Sequence, residues 1–68
     1  MDKKVFRTRE EARYEAKKMR GWTAPHACPW AIIDEHGVER SGWVIECHAP
    51  GASRRSAPLY LREDGYVR

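Results

Sequence analysis

Two groups of residues in the chain have the types and spacing to do chemistry. The stretch His26-Ala27-Cys28-Pro29-Trp30 puts an imidazole and a thiol two positions apart, and Cys47-His48 supplies a second such pair. The chemistry in question is metal ligation, since imidazole nitrogen and thiolate sulfur are what a tetrahedral zinc ion takes, or nucleophilic attack by a thiol with a histidine as base. The second group is basic. Arg9, Arg13, Lys17 and Arg20 recur at helical spacing, and Arg54-Arg55 stand side by side in a segment rich in small residues. Guanidinium groups donate in a planar fork that matches phosphate, which directs this group toward anionic partners.

The elements that must position these residues follow from capping and periodicity. Thr8-Arg9-Glu10-Glu11 fits the S/T-x-x-E capping box, so a helix is expected to begin at Thr8, run through Arg20 and stop at Gly21, a residue suited to a left-handed cap. After Gly21 the apolar period changes from helical to alternating. The segments CPWAIIDE and SGWVIECH flank a turn built on Asp34-Glu35-His36-Gly37 and read as a hairpin. Residues 48–58 carry two prolines, a glycine and no periodicity, and are expected to form a loop. APLYLRED reads as a third strand, with a second turn at Asp64-Gly65, while Val5-Phe6 either adds a short strand or packs under the start of the helix. The fold class is therefore α+β: one N-terminal helix on a three- to four-stranded antiparallel sheet, order α-β-β-β, with residues 1–68 as a single domain.

Strand alternation decides where the thiols and imidazoles point. The apolar sets Cys28, Trp30, Ile32 and Trp43, Ile45, Cys47 are expected to face one core, because a slip of one residue would turn one set to solvent. Facing residue numbers then sum to an odd number. A two-residue turn at His36-Gly37 gives Trp30 opposite Trp43 and His26 opposite Cys47, and a four-residue turn over 34–37 keeps the parity. His48 falls on the far face, unless a bulge at Ser41-Gly42 reverses the parity and brings it round. The core is expected to hold Trp30, Ile32, Trp43, Ile45 and Leu59 or Leu61.

That geometry leaves at most His26, Cys28 and Cys47 on one side, one ligand short of a structural zinc site, and no C-x-x-C or H-x-x-x-H spacing is present. Zinc binding is a minor alternative, and no metal or cofactor is assigned. Cys28 and Cys47 would be diagonal neighbours about 7–8 Å apart, beyond the usual disulfide limit of about 7 Å. They read as core cysteines. No G-x-S-x-G, H-E-x-x-H or P-loop pattern occurs, so no catalytic residue is assigned and the chain is expected to be non-enzymatic.

The basic group carries more information. Ala12, Ala16 and Met19 form the stripe by which the helix meets the sheet, and Arg9, Arg13, Lys17 and Arg20 lie beside it over roughly 80° of arc. Like charges at i, i+4 weaken a helix by about 0.2–0.5 kcal/mol per pair, so this ridge does not serve helix formation. The bland alternative is a solvated face neutralised by Glu10 and neighbouring carboxylates. Arg54-Arg55, central in a long loop, add a second basic feature.

Composition agrees. The 68 residues carry a net charge of +3, are 41% hydrophobic and include three Trp and three Tyr, which fits a folded basic protein better than a disordered tail. At this size a single core supplies only about 3–5 kcal/mol. No apolar run approaches the roughly 18 residues of a membrane span, and MDKKVFRTREE lacks a signal-peptide core, so a cytoplasmic protein with reduced thiols is expected. The order of one helix and three strands is similar to that of double-stranded-RNA-binding and small DNA-binding domains as architecture alone. The second helix of the former and the basic motif at its start are absent. The expected function is binding of an anionic partner, nucleic acid or an acidic protein surface with nucleic acid favoured, through Arg9, Arg13, Lys17, Arg20, Arg54 and Arg55. The alternative is a protein-interaction module, an adaptor or inhibitor and possibly a homodimer, using an outer sheet face with Ile33, Val44, Glu46 and His48.

Overall fold

The structure, a computed structural model, describes residues 2–68. Helix α1 (Arg9–Lys17) is followed by β1 (Thr23–Ile33), β2 (Glu39–His48) and the short β3 (Leu59–Tyr60), in an antiparallel sheet ordered β1-β2-β3. The architecture is the expected helix on a three-stranded antiparallel sheet. Thr8 is the N-cap, its Oγ1 accepting from the Glu11 amide at 3.2 Å, and Glu10 and Glu11 sit in the first turn where the helix dipole favours carboxylates. The helix ends at Lys17, short of Arg20. The Lys18 and Met19 amides donate to the Glu15 and Ala16 carbonyls, tightening the last turn, and Gly21 takes the left-handed φ of +88° that turns the chain toward β1.

The hairpin register departs from expectation. Pairs run from His26 opposite Glu46 through Cys28 opposite Val44 and Trp30 opposite Gly42 to Ile33 opposite Glu39, so facing numbers sum to an even number. The cause is the connection. Asp34 N–H donates to the Val38 carbonyl at 3.0 Å, leaving Glu35, His36 and Gly37 as a three-residue loop, with Gly37 at φ +77°. The Asp34 carboxylate fixes that length by accepting from both the His36 and Val38 amides at 2.9 Å. An odd loop length reverses the parity that two or four residues would have set.

The consequence is that Trp43, Ile45 and Cys47 face the helix as expected, whereas β1 is turned over. Ala27 packs with Phe6, Ala12, Ala16, Ile45, Met19, Trp43 and Leu61 in the helix-side core. Cys28, Trp30 and Ile32 lie on the opposite face, and Trp30 is 39% exposed rather than a core residue. Val44, Glu46 and His48 share that opposite face, whereas the register turns Ile33 to the other one, so these four residues do not line one outer face as expected: Val44 has no exposed area, His48 has 6%, Glu46 is half-buried and Ile33 is open, at 73%. The irregularity in β1–β2 pairing falls between Thr23 and His26, where Ala24 has φ +50°, and not at Ser41-Gly42.

The N-terminal segment closes the free edge of β2. Phe6 and Trp43 exchange two backbone hydrogen bonds of 2.7 and 2.9 Å, and the Lys4 amide donates to the Leu61 carbonyl. Phe6 is thus both a strand partner and a core residue beneath the helix. This close passage explains Gly42: a Cβ there would stand 2.5 Å from Val5 Cγ1 and 3.3 Å from the Phe6 carbonyl oxygen. The chain then returns on itself over Asp64-Gly65, with Leu61 bridging Val67 and Tyr60 exchanging hydrogen bonds with Arg68. A nine-residue helix is only about 13 Å long against about 36 Å for the eleven residues of β1. The hairpin tip therefore projects beyond the helix, leaving Ile33 and Val38 exposed.

Candidate nucleic-acid interface

The helix flank and the start of β1 enclose an open cleft of about 650 Å³. All four ridge cations, Arg9, Arg13, Lys17 and Arg20, line it. The first three reach it because the Ala12–Ala16 stripe lets the helix backbone lie close to the sheet, which tilts the adjacent flank over β1. Arg20 lies beyond the helix but is carried to the same cleft by the tightened turn before Gly21. The rest of the lining is largely apolar and aromatic, with Met19, Trp22, Pro25 and Ala27.

Among the described residues none of these four cations is in an ion pair. The one pair within the helix region, Lys18 with Glu15 at 3.6 Å, lies on its other flank. Arg9 rests over the Trp43 ring at 5.9 Å, a contact that leaves its donors available. The carboxylates that would make the ridge a neutralised face therefore do not meet it.

A second open cleft, of about 420 Å³, lies round the edge of β1 and is lined by Ala24, Pro25, His26, His48 and Arg54. The two clefts share Pro25 and His26, where the left-handed Ala24 and the pairing irregularity bend the strand. Helix ridge and loop are therefore joined by a continuous surface through Arg54. Arg55 is exposed but lines neither cleft, its amide donating to Ser53 Oγ. The loop is organised by two tight turns, Ala49 to Ala52 and Ser53 to Ser56, and Ser56 Oγ lies 3.5 Å from His48 Nδ1.

The turned-over β1 brings His26, Cys28, Glu46 and His48 to one sheet face. Glu46 is the hub: its Oε1 stands 3.3 Å from His26 Nε2, and its Oε2 accepts from Tyr60 Oη at 2.9 Å. His26 Nδ1 lies 2.8 Å from the Ala24 carbonyl oxygen. Beside this cluster the Lys3 ammonium sits 4.4 Å from the Trp30 ring and 4.6 Å from the Tyr60 ring. Donating to Glu46 pushes the Tyr60 hydroxyl above the usual tyrosine range, with burial adding to the shift. Burial, and secondarily the Glu46 charge, raises both Cys28 and Cys47. Thiols held protonated in this way are poor nucleophiles. Both cysteines are free, and they lie on opposite faces of the sheet. Among the described residues no three His, Cys, Asp or Glu side chains converge to hold a metal.

Sequence reasoning had named the four ridge residues and Arg54 but missed Trp22, Lys3 and Tyr60. For Trp22 the available signal was an aromatic residue two positions after Arg20. For Lys3 and Tyr60 there was none, because their meeting depends on the N-terminal segment and β3 lying along one sheet.

Fold and cleft define a small basic α+β protein with an antiparallel sheet. No family model, no curated protein and no solved structure matches the chain. No helix among the described residues is long and apolar enough to cross a membrane.

Proposed function

We propose that the protein is a non-enzymatic binding protein for an anionic partner, nucleic acid favoured, engaged through Arg9, Arg13, Lys17, Arg20 and, beyond the edge of β1, Arg54. The observation that carries this reading is the convergence of four cations, unpaired among the described residues, on one concave surface. Their mutual repulsion along the helix is offset when phosphates neutralise them. Concavity with an apolar wall suits a chain of phosphates and bases better than a flat acidic protein surface. The protein-interaction alternative has less support, since of its four residues only Ile33 is exposed. Pro25 and Pro29 also remove two backbone donors from β1, an edge strand, which disfavours strand addition by a partner or a second copy.

The test is fluorescence anisotropy of a labelled oligonucleotide titrated at several salt concentrations, with the wild type and the Arg13→Gln, Lys17→Gln double variant. Binding that weakens steeply with salt and is reduced in the variant supports the reading. Salt-insensitive binding, or binding unchanged in the variant, refutes it.

A further inference from the structure

The cleft also speaks to the form of the nucleic acid. We infer that the ligand is a single strand, DNA or RNA, lying along the cleft with a base stacked on Trp22; this rests on the anionic-cleft reading above. Three features of the structure lead there.

The cations are on the wrong side of the helix for a duplex groove. At 100° per residue, Arg9, Arg13 and Lys17 occupy the flank turned into the cleft, where Arg20 joins them from beyond the helix end, while the outward and opposite faces carry Glu10, Glu11, the exposed Tyr14 and the Glu15–Lys18 pair. A helix entering a duplex groove leads with its outward face, so Glu10 and Glu11 would stand against the phosphate walls in place of the ridge cations. A strand lying in the cleft meets only the basic flank.

The second feature is the aromatic wall. Trp22, half-buried, lines the same cleft as the cations, together with Met19 and Pro25. An indole sharing a cleft with three guanidinium groups and an ammonium supplies what binds a single strand without sequence preference: the charges track the phosphates, and the ring stacks a base that is not already stacked in a duplex. A base in a closed duplex presents no free face to Trp22.

The third is continuity. From Arg20 the surface passes Pro25 and His26 into the second cleft at Arg54, bending round the sheet edge. A flexible single strand follows such a bend, whereas a duplex of roughly 50 nm persistence length does not at this scale.

The experiment uses the full chain and end-labelled oligonucleotides of about 12 nucleotides, as DNA and as RNA, each single-stranded and as a blunt duplex, read by anisotropy at low salt. In at least one of the two sugar types the single strand is expected to bind more than about fivefold tighter than its duplex. Trp22→Ala should weaken single-strand binding by about 5- to 150-fold, the range for losing one base–aromatic stack, Trp22→Phe should retain most of it, and duplex binding should change in neither. A bromouracil-substituted single strand, irradiated with the wild-type protein, should crosslink at Trp22, which keeps the test decisive if Trp22→Ala does not fold. Equal single-strand and duplex affinity in both sugar types overturns the inference, as does undiminished binding by a folded Trp22→Ala variant or a crosslink that maps elsewhere. If salt-sensitive binding persists in those cases, the cleft reading stands without it. If neither form of nucleic acid binds, both fall.

Discussion

Replacing Arg13 and Lys17 with glutamine removes the two central charges of the cleft while keeping side-chain stems of similar length and helix propensity. With the four ridge cations each neutralising one phosphate, the slope of log affinity against log salt for a single strand is about −2.8, from about 0.7 per contact. A fourfold rise in salt then weakens wild-type binding by about 50-fold. With two contacts left the slope becomes about −1.4, and the same rise weakens the variant by only about sevenfold. The substitution also relieves the Arg9/Arg13 and Arg13/Lys17 repulsions, worth about 0.4–1 kcal/mol to the helix, but it removes the last-turn Lys17 charge that the helix dipole favours by about 0.3–1 kcal/mol, so the net change in stability should stay within about 1 kcal/mol. Anisotropy titrations across a salt series give the slopes, and urea unfolding followed by circular dichroism gives the stability. A shallower slope at nearly constant stability separates a lost contact from a damaged fold. An unchanged slope would refute the role of the ridge, and a stability loss well beyond about 1 kcal/mol would show that these side chains hold the fold together.

Other parts of the structure give independent predictions. Gly42→Ala should destabilise the protein by about 1–3 kcal/mol, because its Cβ meets the stiff, branched Val5 side chain at 2.5 Å and the Phe6 carbonyl lies just behind; a melting temperature unchanged from wild type would show that the N-terminal segment does not lie along β2. Thr8→Ala removes the acceptor of the Glu11 amide and should cost about 1 kcal/mol of stability in urea unfolding. The Tyr60 hydroxyl is raised above its ordinary value of 10.0 by its bond to Glu46, so the folded protein holds this proton where the unfolded chain releases it. Its contribution is complete below about pH 10 and lost as pH rises through the folded value, and urea midpoints should fall across that range. Cys28 and Cys47, raised from 9.0, act in the same direction from lower pH. Tyr60→Phe should therefore shallow the alkaline decline without abolishing it, and an identical decline would refute the Glu46–Tyr60 contact.

Much of the fold was legible because its signals are local. The Thr8 cap, the Ala12–Ala16 stripe, the alternation of β2 and the turns at Asp34 and Asp64-Gly65 are each decided by residues within a few positions of one another. The ridge was legible for the same reason, since Arg9, Arg13 and Lys17 share a helix flank by spacing alone. The face of β1 was not. Its parity depends on whether the hairpin loop holds two, three or four residues, and the Asp34 carboxylate decides this by accepting from two amides at once. That single residue of length turns Trp30 and Cys28 away from the helix and places His26 beside Glu46.

The sequence by itself determined which residues carry positive charge on one helix flank and that a helix and a hairpin would form, because capping, periodicity and like-charge spacing are properties of neighbouring residues. Only the tertiary structure decided that the flank shares a cleft with Trp22 and that Arg54 lines the cleft next to it. It also decided that Val44, Glu46 and His48 lie within the fold, because those relations arise where segments distant in the chain are packed together, and packing is set by the register and loop length that join them.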